Sequence, residues 1–444
     1  MNITSDALLI DLYELTMAQA YLDQTMTEIA VFEFFVRKLP PQRNFFMAAG
    51  LEQVLTYLEE FQFSDGDIDW LDRAGGFTPA FLDTVRAMRF TGDVHAMPEG
   101  TLFFPNEPIL RITAPLPQAQ LVETRVMNLL NFQTMVASKA CRSVLVADGT
   151  PLIDFGLRRA HGAEAGLFAA RAGYLAGLAG TSNVSAGARF TIPIYGTMAH
   201  SFVQAHLDEM QAFTHIAQAQ PGNVVLLIDT YETEAAAGKV VALAARLKEQ
   251  GISIHGVRLD SGDLAEHARK VRRILDRGGL TATKILASGN LDEERIHALV
   301  AGQAPIDSFA IGTAMTTSAD APYLDCAYKL QEYAGRPCRK RSEGKATWPG
   351  RKQVYRRIGT DERLNGDIIT IEGDCQEGRP LLGHVMQGGH RLTSPPSLEE
   401  IRRHARLSLA QLPDPLRRID RSAPYDVRIS TALTELAHQV DRHT

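Results

Sequence analysis

Four short runs decide the fold: Val224-Val-Leu-Leu-Ile-Asp229, Ile252-Ser-Ile-His-Gly-Val-Arg-Leu-Asp260, Thr283-Lys-Ile-Leu-Ala-Ser-Gly-Asn290 and Ser308-Phe-Ala-Ile-Gly-Thr313. Each is apolar and rich in β-branched residues, and each ends in a carboxylate, an amide or a glycine. Amphipathic stretches fill the gaps. Glu234–Gln250 and Leu264–Arg277 read as helices, Asp263 is placed to cap the second, and a third starts at Asp292. The step from Asp229 to Asp260 to Asn290 is about thirty residues, one strand and one helix each time. From about Leu152 to Thr313 the expectation is therefore an irregular (β/α) barrel. Ligands of such folds sit at the C-terminal ends of the strands, where the polar residues of these runs cluster.

Upstream, the pattern changes. Leu8, Leu9, Leu12, Tyr13, Thr16, Met17 and Ala20 recur at helical spacing. Ala30–Arg37 and Ile109–Ala114 read as strands, Ala48–Phe61 and Gln118–Val136 as helices. The division expected is a mixed α/β domain over 1–140, a barrel-like catalytic domain over 141–340, and a segment over 341–444 that packs back on the first. That last segment opens basic and turn-rich, and Ser397 with Glu400 forms a capping box for a late helix. Residues 357–444 carry no pattern to which a function can be attached.

Composition narrows the function. The chain has 444 residues, 45% hydrophobic, and a net charge of −6, opposite in sign to what binding along nucleic-acid phosphates requires. No apolar run reaches the ~18 residues of a membrane span. The start, with Asp6 and Asp11, lacks the basic-then-apolar pattern of a leader. Four scattered cysteines form no CxxC pair, which points to a reducing, cytoplasmic setting without a zinc site.

The chemistry-bearing residues each have a functional and a plain reading. Asp229 and Asp260 occupy equivalent strand ends, where they could hold ribose hydroxyls, magnesium through a diphosphate, or a developing cation; capping is the alternative. Ser288, Gly289 and Asn290, and Gly312 with Thr313, could close backbone N–H groups on a phosphate, or simply turn the chain. Upstream lie Asp154-Phe-Gly-Leu-Arg-Arg159, Gly180-Thr-Ser-Asn-Val184 and Gly196-Thr-Met-Ala-His200. Phe155 offers a face for an aromatic substrate, and Arg158 with Arg159 a fork for its carboxylate, one of the two arginines being expected to be structural. His200 has no metal-ligand spacing around it and is either a nucleophile or a structural histidine. Core packing is the default for Tyr13, and a solvated loop for Lys345, Arg351 and Lys352.

Taken in order, these runs resemble the nicotinate phosphoribosyltransferases. Asp11-Leu-Tyr13-Glu-Leu-Thr-Met-Ala, Ile228-Asp-Thr-Tyr-Glu-Thr, Arg258-Leu-Asp-Ser-Gly-Asp, Ala287-Ser-Gly-Asn and Ser342-Glu-Gly-Lys-x-Thr-x-Pro-Gly-Arg-Lys-Gln-Val complete the set. The resemblance implies a type II phosphoribosyltransferase barrel and a homodimer with shared active sites. It implies a ligase-class reaction in which nicotinate and phosphoribosyl diphosphate give nicotinate mononucleotide and diphosphate, with Mg2+ on the diphosphate and ATP as co-substrate, in NAD salvage. By motif, Phe155 and a partner's Tyr13 stack on the pyridine, and Arg158 and Arg258 neighbour it. Asp260 faces the ribose, Gly289 and Gly312 face the 5′-phosphate, and ATP phosphorylates His200. Lys345, Arg351 and Lys352 form a basic shell for ATP or diphosphate.

Where nicotinamide-using relatives carry an aspartate, this chain has Ser182. A hydroxyl donates to a carboxylate that an aspartate would repel. The competing readings are a nicotinamide- or quinolinate-type transferase, a silent homologue with a binding role, and an unrelated metal hydrolase. The last predicts a histidine cluster that the strand ends lack.

Overall fold

In the computed structural model, which describes residues 6–443, the runs quoted above are parallel strands of one six-stranded sheet. We number them β1 (Leu152–Asp154), β2 (Gly180–Thr181), β3 (Val224–Leu227), β4 (Ile254–Leu259), β5 (Lys284–Ala287) and β6 (Ser308–Ile311). Their spatial order is β2-β1-β6-β5-β4-β3. Every pairing is parallel, so all six C-terminal ends share one rim. The sheet is a curled half-barrel, with β2 and β3 as its outer strands.

Between the strands run the expected helices, Thr233–Lys248, Leu264–Arg277 and Glu293–Ala301. The side chains of Asp263 and Asp292 accept the Glu266 and Arg295 N–H groups, capping two of them. The middle helix buries Leu264, Ala268, Val271 and Leu275, a stripe at 3–4-residue spacing. That apolar stripe is what folds each helix back onto the sheet.

The chain divides into two compact units: Lys139–Asp320, which contains this sheet, and Met1–Ser138 together with Ala321–Thr444. The second unit is built on an antiparallel sheet of seven strands. Ile29–Val36 lies inside it, paired with Pro108–Pro115 on one side and Cys326–Tyr333 on the other. Residues 321–340, read from the sequence as part of the barrel, therefore belong with the antiparallel sheet. The long helix expected at Gln118–Val136 is two, Leu116–Leu121 and Glu123–Val146. The capping box at Ser397 and Glu400 is formed. Among the described residues no helix is long and apolar enough to cross a membrane, and all four cysteines are free.

The first helix, Leu12–Asp23, corrects the reading of its face. It buries Glu14, Leu15 and Ala18, while Leu12 and Tyr13 are 67% and 45% exposed. Glu14 Oε1 accepts the N–H (3.0 Å) and hydroxyl (2.6 Å) of Thr124, at the start of the long helix. That polar anchor, rather than the apolar stripe, sets the helix's orientation within its unit. Tyr13 is not a core residue.

Candidate active site

Each strand of the half-barrel ends at the common rim in a polar residue, an aromatic or a glycine. Phe155 follows β1, Ser182 follows β2, Asp229 stands two residues beyond β3, Asp260 follows β4, Ser288 follows β5 and Gly312 follows β6. A parallel sheet aligns its strand ends, so residues distant in sequence become neighbours.

Asp229 is the anchor of the carboxylate pair. Its Oδ2 accepts the Asp260 N–H (2.9 Å) and the Ser261 hydroxyl (2.6 Å), while its buried Oδ1 has no hydrogen-bond partner among the described residues. Asp260 is held in turn by the Ser288 hydroxyl, which donates to Oδ1 at 2.5 Å. The Arg258 guanidinium lies 3.4 Å from the same oxygen. Oδ2 faces His200 Nε2 at 3.6 Å, and the Asp260 side chain keeps 23% of its surface exposed.

Arg258 organises more than one loop. Its Nε donates to Ser288 Oγ (3.0 Å), and its Nη1 donates to Thr197 Oγ1 (2.7 Å) and the Met198 carbonyl (3.1 Å). Its guanidinium carbon lies 5.8 Å from the centroid of the Phe155 ring. One arginine thus ties the aromatic face, the carboxylate and the loop before His200 together. His200, first residue of the short helix His200–Gln204, meets Thr230 Oγ1 through Nδ1 at 3.2 Å.

Gly289 is there for close approach. Its φ is +90°, and a Cβ would stand 1.9 Å from the Asp260 carbonyl oxygen. Asn290 follows with φ 51°, which leaves Ser288-Gly289-Asn290 as a tight, polar turn. Gly312 lies against Phe155, whose carbonyl oxygen would be 3.1 Å from an added Cβ. Thr313 opens a four-residue helix and is exposed. Ser182 is half-buried, its N–H donating to the Asp154 carbonyl at 2.8 Å.

Several expectations change. Arg158 and Arg159 lie exposed on the 3-10 turn Leu157–Arg159, so neither is a buried structural arginine. Lys352 is not part of an open basic shell. Its ammonium is buried in the antiparallel unit, 2.7 Å from Glu33 Oε2, and donates to the Trp348 and Gly350 carbonyls. With every donor committed, it cannot take up an anion. Arg351, in the same unit, donates through two nitrogens to Glu332 Oε1. Lys345 is exposed there, as is Tyr13.

Sequence reading gave no role to Asp154, Thr197, Thr230 or Ser261. Asp154 is buried beneath the rim and accepts the Thr181 hydroxyl (2.7 Å) and the Gly156 N–H (2.8 Å). Burial raises its carboxyl above the usual range. A strand-end position was the available signal for Asp154 and Thr230. Nothing in the sequence marks Thr197 as a partner of Arg258.

The chain matches the family models of the nicotinate phosphoribosyltransferase N-terminal domain over residues 8–131, of the family itself over 150–336, and of the C-terminal domain over 374–437. It is 47% identical to a nicotinate phosphoribosyltransferase of Mycobacterium tuberculosis over 434 residues, 97% of this chain and 93% of that protein. The chain belongs to the nicotinate phosphoribosyltransferase family. A Bacillus subtilis member is 40% identical over 369 residues, covering 81% of this chain and 75% of its own length. The crystal structure of human nicotinic acid phosphoribosyltransferase superposes with a TM-score of 0.87 at 30% identity, over 97% of this chain and 99% of that one. The half-barrel is thus a type II phosphoribosyltransferase fold. Residues 374–437, unassigned from sequence pattern, are the family's C-terminal domain.

Proposed function

We propose that the chain transfers a phosphoribosyl group to nicotinate, forming nicotinate mononucleotide and diphosphate in NAD salvage. The observation that carries this reading is the rim itself. Phe155 after β1, Gly289 after β5 and the helix start at His200 converge on Arg258 and Asp260 at the end of β4.

The chemistry needs what that rim offers. The pyridine nitrogen attacks ribose C1 with its free lone pair, the C1–O bond breaks, and the electron pair leaves with diphosphate. No proton is removed from the ring, so no strong base is required. Positive charge grows on the sugar, and the half-open carboxylate of Asp260 is placed to face it. Asp229 fixes Asp260 through its backbone. Phe155 stacks on the ring, Arg258 and Arg158 serve its carboxylate, and Ser182 donates where a second negative charge would repel. The turns at Ser288-Gly289-Asn290 and Gly312-Thr313 present backbone N–H groups to the 5′-phosphate.

Magnesium fits this donor set. Among the described residues no cluster of three or more His, Cys, Asp or Glu side chains forms a cage, whereas Asp229 and Asp260 offer oxygens of the kind that hold a diphosphate-bound ion. In that place the ion would supply positive charge to the leaving group. ATP is the co-substrate of the proposal. In the tautomer that carries its proton on Nδ1 and donates to Thr230 Oγ1, His200 Nε2 keeps a lone pair for a phosphoryl group. Lys345 and Arg351 are proposed for the ATP phosphates, Lys345 having no ion-pair partner among the described residues. Exposed Tyr13 and Leu12 suit burial against a second copy, and we extend the proposal to a homodimer sharing its sites. The free cysteines agree with a reducing, cytoplasmic setting.

Mixing the protein with nicotinate, phosphoribosyl diphosphate and Mg2+, with and without ATP, tests the reading; mononucleotide should form, and faster with ATP. His200→Ala should keep a basal rate and lose the ATP stimulation. No mononucleotide in either condition would refute the activity, and stimulation surviving in the variant would refute the phosphohistidine.

A further inference from the structure

The interior of a (β/α) barrel is normally filled by layers of bulky branched side chains. Here it is hollow. A cavity of about 490 Å3 runs along the inner face of the sheet, from Phe155 and Thr197 at the rim to Lys284 and Asp307 at the opposite strand ends. Its cause is legible in the inward positions. β4 contributes Gly256 and β6 contributes Ser308, both too small to fill the space. The middle is apolar, lined by Ile153, Val225 and Leu286. Ile153, Leu286 and Ala310 form one buried cluster against which the Phe155 ring packs. The far mouth is polar, where Lys284 Nζ meets Asp307 Oδ1 at 2.9 Å.

A volume of this size suits a drug-sized ligand rather than a single six-membered ring. A four-residue strand rises roughly 13 Å, so the hollow extends well past a ring stacked on Phe155. The proposed transfer fixes how that ring stands. Its nitrogen must face ribose C1 at the rim, where Asp260 and Gly289 lie. The opposite edge, carbons 3 to 5, then turns toward the lumen, and with the carboxylate on carbon 3 taken by the arginines, carbon 5 is the free position from which an arm can run down it.

We propose that the lumen is a second compartment of the acceptor site that admits an apolar substituent on the pyridine, so that 5-alkylpyridine-3-carboxylates are accepted as phosphoribosyl acceptors. This rests on the activity proposed above. The reaction balances as it does for the parent acid: the ring nitrogen forms the bond to C1, and diphosphate departs with the electron pair. The alkyl arm leaves water for Ile153, Val225 and Leu286, and each buried methylene is worth about fourfold in affinity.

The test compares nicotinate, 5-methylnicotinate and 5-butylnicotinate on the wild-type chain and on Val225→Phe and Ser308→Leu, which fill the hollow from different strands. Mononucleotide is quantified by chromatography, binding by calorimetry, and folding by thermal melting. The wild type should use the butyl acid with kcat/KM within tenfold of nicotinate, and its KM should fall from methyl to butyl. In at least one folded variant the butyl acid should lose tenfold or more in kcat/KM and in affinity, with nicotinate changed less than threefold. Discrimination of more than tenfold against the butyl acid by the wild type, or equal losses of both acids in the folded variants, would overturn the proposal. Absence of nicotinate turnover in the wild type would instead refute the activity, while calorimetry with the butyl acid still reads the compartment.

Discussion

Lys352 in the antiparallel unit and Asp260 in the parallel one are both charged, and their surroundings treat them in opposite ways. Lys352 is sunk beside Glu33, with backbone carbonyls taking its remaining donors. Burial alone would lower its affinity for a proton, and Glu33 works against that. Asp260 is gripped on one oxygen by Ser288 and Arg258, while the other faces a histidine at 3.6 Å, and the side chain stays 23% exposed. The first arrangement spends all its hydrogen-bonding capacity on the fold. The second leaves part of it unspent, as the proposed role of Asp260 requires. Whether a charge is structural or functional is thus decided by how much of its capacity its neighbours consume.

Breaking each side of that contrast should give a different signature. The largest effect is expected from Lys352→Met, which strands the Glu33 carboxylate in a buried sheet. It should cost about 3–5 kcal/mol of stability in denaturant titrations and leave kcat of the folded fraction within twofold. A large loss of kcat with unchanged stability would reverse the assignment. Asp260→Asn should do the converse, lowering kcat by roughly 10²–10³-fold with the melting temperature changed little and KM within a fewfold. A rise in KM with kcat preserved would make Asp260 a binding residue instead.

Glu14 sharpens the comparison, since it is a buried acid with no cation paired to it among the described residues. Burial is the main cause that pushes its carboxyl up to about 8, and Glu123 adds to the rise while Thr124 opposes it. The folded form therefore holds its proton more tightly than the unfolded chain. The stability this contributes is complete below the unfolded value of 4.5 and is lost as pH rises through about 8. Thermal melts across that range should show an alkaline decline that Glu14→Gln flattens. An unchanged slope in the variant would assign the decline elsewhere.

How much of this was legible in the sequence follows the same divide. The strands at Val224, Ile254, Lys284 and Ser308, their helices and the cap at Asp263 rest on local periodicity and local hydrogen bonds, and they stand where expected. The strand-end residues came with them, because a parallel sheet brings those ends together whatever lies between. What failed was long-range. Glu33 and Lys352 are 319 residues apart, and a basic loop gives no hint that a buried glutamate awaits it. Residues 321–340 looked like an extension of the barrel because pairing with Ile29–Val36 leaves no local trace. The face of the first helix was misjudged because one polar anchor, Glu14 on Thr124, outweighed its apolar spacing. Thr197 escaped notice because its role exists only once Arg258 is across from it.

The most direct test of the central claim is a crystal structure of the chain with nicotinate mononucleotide. The ring should lie on Phe155, the ribose hydroxyls beside Asp260, and the 5′-phosphate on the turns at Gly289 and Gly312. A nucleotide bound away from the ends of the parallel strands would contradict the account.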